Sequence, residues 1–156
     1  MAPGSVIDDP AGFDRRVRLT TYRHFVDSGA APTPAELAAP LATTAEAVQE
    51  AWARLAAEHV LALQPGTGAL WMAMPFSAVP TGFRVHAAGR SWWANCAWDA
   101  LGIPAMLGVP ARIDATCGDC TDPMVIETGD GGPARGAGVV HFAVPARNWW
   151  DDIGFT

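Results

Sequence analysis

The chain has 156 residues, half of them apolar, with 10 basic against 16 acidic side chains and a formal charge of −6. That length and apolar content suit one ordinary domain or two small ones around a real core. The apolar stretches near 70–79 and 103–109 are broken by Pro and Gly and are too short to span a bilayer.

Met1 to Pro10 contains Asp8 and Asp9 and has neither a basic start nor an apolar signal core, so a cytoplasmic protein is expected. Every basic residue is Arg, and the acidic balance disfavours a nucleic-acid partner, which would require a local cationic surface. Three cysteines, an odd number without a secretion signal, argue for free thiols or metal ligands over a disulfide framework. Thiol chemistry is therefore the place to look. Seven tryptophans are present, and Trp92, Trp93 and Trp98 crowd around Cys96.

In chain order, the apolar spacing of Phe13, Val17, Tyr22, Phe25 and Val26 predicts a helix over 13–27, stopped by Ser28-Gly29. Thr33-Pro34-Ala35-Glu36 is a capping box with Pro at the first helical position, opening a short helix that Pro40 ends. Thr43-Thr44-Ala45-Glu46 repeats the capping pattern, and Val48, Trp52, Leu55 and His59 then recur on one helical face. Residues 60–64 and 69–74 around Pro65-Gly66-Thr67-Gly68 read as a β-hairpin. Three helices and a hairpin predict a winged helix-turn-helix module. Such a module can read DNA or serve as packing. The exposed positions of the third helix include Glu46, Glu50 and Glu58, which would repel phosphates, so the packing role is favoured.

The Pro-rich stretch 75–80 reads as a linker, giving a first domain over 1–80 and a second over 81–156. In the second, 83–88 alternates like a strand and Gly89-Arg90 turns it; a short helix capped by Asn95 and ended before Pro104 follows. Strands are predicted over 112–116 and 124–127 around the turn Cys117-Gly118-Asp119-Cys120. Residues 129–132 read as a loop and 138–144 as a further strand. The fold class is α+β: the winged-helix module, then a small α+β unit.

With Asn95 as cap, Cys96 would stand in the first helical turn, where backbone N–H groups and the helix dipole favour a thiolate. Asp99, three residues on, would share its face. Such a pair can pass a proton between sulfur and a bound group, although spacing alone favours a buried structural cysteine beside a surface aspartate. Cys117 and Cys120 form a lone CxxC. With Cys96, and with His141, they could complete a zinc site, or they could be a turn with two unpaired thiols. His24, His59 and His86 read as packing or surface residues. The tryptophans near Cys96 suit either an apolar pocket or core packing.

The run from Trp93 through Asn95-Cys96-Ala97-Trp98-Asp99 and Ile103-Pro104-Ala105-Met106-Leu107-Gly108, then Ala111-Arg112-Ile113 and Cys117, resembles the central motif of the organomercurial (alkylmercury) lyases. The resemblance covers most of the chain, but its specific part is 93–117. It implies an N-terminal winged helix that packs, and an enzyme in which thiolates grip mercury while a carboxyl group protonates the departing carbon. It assigns the first thiolate to Cys96, the proton donor to Asp99 and a structural role to Cys117.

By the same resemblance no resident cofactor is required, mercury being substrate and product ion, and the partner is a small organometallic or thiophilic molecule. Its second mercury thiolate would fall at or after Thr156, so the chain is expected to be a shortened member or a piece lacking a final strand and helix. The alternative is a non-catalytic thiol protein in which Cys96, Cys117 and Cys120 hold zinc, copper or mercury. A transcriptional regulator is a more distant reading.

Overall fold

The computed structural model describes residues 9–129 and 134–154. The chain forms two compact units, Met1–Ala73 and Met74–Thr156.

In the first unit, α1 (Pro10–Ser28) starts at Asp9, whose Oδ1 accepts from the Gly12 N–H at 2.9 Å. It ends at Gly29, where a φ of 78° places the C-cap in the left-handed region that glycine tolerates. The capping box of α2 (Pro34–Ala38) forms in full: the Thr33 hydroxyl accepts from the Glu36 N–H, and the Glu36 carboxylate accepts from the Thr33 N–H at 2.7 Å. α3 (Ala45–Ala57) begins one residue later than the box motif suggests, because Thr44 is the residue whose hydroxyl accepts from a backbone N–H, that of Ala47.

Val48, Trp52 and Leu55 form the buried face of α3, but His59 does not extend it. That residue lies beyond the helix end, exposed, with a φ of 59°. Trp52 donates its indole N–H to Thr21 Oγ1 at 3.0 Å, and Thr21 in turn donates to the Val17 carbonyl at 2.8 Å, so the polar atoms inside this core are paired. β1 (Ala62–Leu63) and β2 (Leu70–Ala73) complete the unit as an antiparallel hairpin.

The second unit is an antiparallel sheet with one long helix. β3 (Phe76–Ser77), β4 (Phe83–Ala87), β5 (Arg90–Ala94), β6 (Ala111–Thr116), β7 (Pro123–Thr128) and β8 (Arg135–Gly136) stand in the order β3-β5-β4-β6-β7-β8. β3 lies inside the Pro-rich stretch read as linker; it pairs Phe76 with Ala94 and Ser77 with Trp93. β5 was not foreseen. It follows a two-residue turn at Ala88-Gly89, one position before the expected turn, with φ values of 48° and 74°, the geometry that matches strand twist in a tight hairpin.

Register places Val85 opposite Trp92 on one side and Ile113 on the other, and all three are fully or almost fully buried. Each contributes roughly 1.5–3 kcal/mol by leaving water. α4 (Ala97–Leu107) packs on β4, β5 and β6 through its buried Ala100, Ile103 and Pro104.

Two expectations fail around α4. The helix does not stop before Pro104 but carries it inside, ending at Gly108 with a φ of 66°. Proline there removes one backbone hydrogen bond, and the burial of the neighbouring apolar side chains offsets the loss. Asn95 is not the cap either: Cys96 occupies that position and makes no side-chain capping bond. The strand expected over 138–144 is absent, since β8 takes only Arg135–Gly136 beside β7 and the chain then leaves the sheet as an exposed strap. A 3-10 helix, Ala146–Asp151, follows. The expected loop over 129–132 lies mostly, and the terminal Phe155-Thr156 wholly, outside the described residues. No described helix is long and apolar enough to cross a membrane.

Candidate active site

The end of β5 delivers the site. Thr81 donates its hydroxyl to the Ala94 carbonyl at 2.5 Å, fixing the strand end just before Asn95 and Cys96. Cys96 is fully extended, with φ −150° and ψ −176°, and its carbonyl accepts the first hydrogen bond of α4 from the Ala100 N–H at 2.9 Å. Its side chain is half-buried. Asp99 stands in the first turn of α4, and its Oδ2 accepts from Asn95 Nδ2 at 2.9 Å. Asn95 fails as a helix cap because its amide serves this carboxylate.

Position at a helix start does not make Cys96 a ready thiolate. Burial pushes its thiol above the usual range, and the Asp99 charge pushes it further. Backbone hydrogen bonds from Asp99 and Trp98 oppose both without overcoming them. The Asp99 carboxyl is likewise raised, because burial penalises its charged form more than the Asn95 hydrogen bond favours it. The pair therefore holds protons further up the pH scale than free side chains would. Such tuning suits proton delivery.

Cys96 opens onto a cleft of about 790 Å³. It is lined by Phe83, Leu101, Met124 and Ile126, by the strap 136–144 with Trp149, and by Cys117. Asp99 does not line this cleft, and neither do Trp92 and Trp93. Trp92 packs in the core against Phe76, while Trp93 lies under the Arg84 guanidinium at 4.4 Å. Trp98, largely exposed, meets Phe142 of the strap edge-on at 6.5 Å, and Phe142 meets Trp149 at 5.3 Å. The strap's contribution was missed in the sequence, although the apolar run Val139-Val140-His141-Phe142 was its signal.

A shallower depression of about 760 Å³ lies at the β4–β5 turn, edged by His86, Arg90, Arg112, Glu127 and Arg135. It holds no thiol, and the chemistry points to the cleft.

Cys117 and Cys120 form the expected turn between β6 and β7. The Cys117 N–H donates to the Asp122 carbonyl at 2.9 Å and the Thr121 N–H to the Cys117 carbonyl at 3.0 Å. Among the described residues no three or more His, Cys, Asp or Glu side chains converge so as to hold a metal ion, so Cys96, Cys117, Cys120 and His141 are not gathered into one site. His141 also edges the cleft, exposed on the strap. His24 and His59 lie in the first unit, and His86 pairs with Asp114 at 3.0 Å.

The family described as alkylmercury lyase, MerB, matches residues 76–156, just over half of the chain. A solved structure, the mercury-bound form of MerB2, is similar at 21% identity with a TM-score of 0.61, over 84% of this chain and 62% of that one. The chain thus spans under two-thirds of that relative's length. No curated protein matches.

Proposed function

Because the chain belongs to the alkylmercury lyase family, we propose that it cleaves carbon–mercury bonds by protonolysis, with Cys96 as the mercury thiolate and Asp99 as the proton donor. The observation that carries this reading is the placement of a cleft-lining thiol one helical turn from a carboxyl group held above its ordinary range. The Cys96 thiol gives up its proton to solvent as its sulfur displaces the second ligand of the organomercurial, so that a sulfur–mercury bond replaces the S–H bond and that ligand leaves. Soft thiolate sulfur suits this soft metal. Seated on Cys96, the mercury brings its carbon toward Asp99. The protonated carboxyl then delivers its proton to carbon, the carbon–mercury electron pair forms the new C–H bond, and hydrocarbon leaves with Hg(II) on sulfur. Burial raises the Asp99 carboxyl and so favours its protonated form for that step, and Asn95 orients it. In the same reading, the three helices and hairpin of the first unit form a winged-helix-like packing module.

The test pairs adduct mass spectrometry with headspace analysis of hydrocarbon. Cys96→Ser should lose both capture and cleavage. Asp99→Asn should still capture substrate, with release lowered about a hundredfold or more. Equal turnover by wild type and the Asp99 variant would remove Asp99 from the mechanism.

A further inference from the structure

The CxxC turn is not absorbed by this mechanism. β6 and β7 end as a tight pair, with Thr116 opposite Pro123, and the two backbone bonds across the turn leave little freedom to the chain between Cys117 and Cys120. Cys117 and Cys120 stand at the two ends of this turn, three residues apart in the chain. Cys120 is exposed, and Cys117 edges the cleft that Cys96 also lines. Zinc would need further ligands, and among the described residues no third His, Cys, Asp or Glu joins the pair to make a metal-holding group. Two thiols alone suit a different class of ion, the soft closed-shell cations that take two sulfurs in a line.

We propose that Cys117 and Cys120 form a second, dithiol site beside the cleft that Cys117 lines, which binds a two-coordinate soft cation such as Hg(II). Binding exchanges two S–H protons, released to solvent, for two metal–sulfur bonds, with no change of oxidation state. A linear site would hold the two sulfurs apart by roughly twice the ~2.3 Å of a metal–thiolate bond, and the exposed Cys120 side chain is open to solvent to take up that position. The assignment stands independently of the lyase reading. In a working lyase, the dithiol would offer the product ion a second resting place beside Cys96.

The experiment uses Cys96→Ser protein, in which only this pair can bind, loaded with mercuric chloride and challenged with excess glutathione. Native mass spectrometry should show about one Hg(II) retained per chain, both thiols closed to a thiol reagent, and two sulfur neighbours by X-ray absorption. Adding Cys120→Ser should lower retention on the order of tenfold or more, since the second thiol's effective concentration is lost; circular dichroism confirms that this exposed substitution leaves the fold intact. Equal retention by the two proteins, or stoichiometric zinc in place of mercury, would overturn the dithiol site. In a chain that keeps Cys96, Cys120→Ser should leave hydrocarbon release unchanged. Absence of release from every protein would remove the lyase reading and leave the dithiol result standing.

Discussion

Asn95 Nδ2 donates to Asp99 Oδ2 at 2.9 Å, while Asn95 Oδ1 is buried with no hydrogen-bond partner among the described residues. The amide thus meets the charged carboxylate with its donor. Turned over, it offers the neutral carboxyl an acceptor for its O–H, so either protonation state finds a partner.

Replacing Asn95 should therefore be read at Asp99. The hydrogen bond from Asn95 lowers the Asp99 carboxyl against the larger effect of burial. Asn95→Ala should let the carboxyl rise further, and carbon-13 NMR titration of labelled aspartate should show the shift. The alkaline limb of hydrocarbon release should move upward with it. A carboxyl that titrates unchanged would mean that the amide has no electrostatic hold on Asp99.

Stability should also record the buried carboxyl. Its folded value lies above the ordinary 3.8, so between the two values the folded chain binds more protons than the unfolded one. The stabilisation is complete below about pH 3.8 and is lost as pH climbs through the raised value. Asp99→Asn has no such loss. Its melting temperature relative to wild type should increase from about pH 4 to about pH 7, and a constant difference across that range would contradict the burial argument.

In the first unit, Thr21→Val keeps shape but leaves the Trp52 indole N–H without its acceptor inside the core. A loss of about 1–3 kcal/mol is expected from urea unfolding followed by circular dichroism. Replacing Thr21 with Ser, which retains the hydroxyl, should recover much of it.

Duplex DNA should not bind. The basic residue of α3, Arg54, is already engaged by Asp14 through two bonds of 2.7 and 2.8 Å, and the other charges of that helix are acidic. A mobility shift that weakens with salt at physiological ionic strength would show a phosphate-binding surface that these residues do not explain.

What could be read from the residues was mostly local. Thr33 and Glu36 satisfy each other within one turn, so their capping box is visible in four letters. Cys96 and Asp99 were singled out by their spacing and the surrounding motif, and the structure places them at the start of α4. Asn95 was misassigned because its partner is a side chain, not a helix N–H, and Pro104 because tertiary burial overrides its local cost. Residues 138–144 have the apolar content of a strand but pair with no strand among the described residues. The cleft itself could not be foreseen, since it needs the strap, the β6–β7 turn and the start of α4 to meet in space.

Trp98 stands two residues from Cys96 and leaves its ring exposed against Phe142. On the proposed reading, a heavy atom taken up by that sulfur should hasten the indole's return from the excited state without emission. Dimming of the Trp98 component, absent when Trp98 is replaced by Phe, would then time the arrival of metal at Cys96 without any added dye.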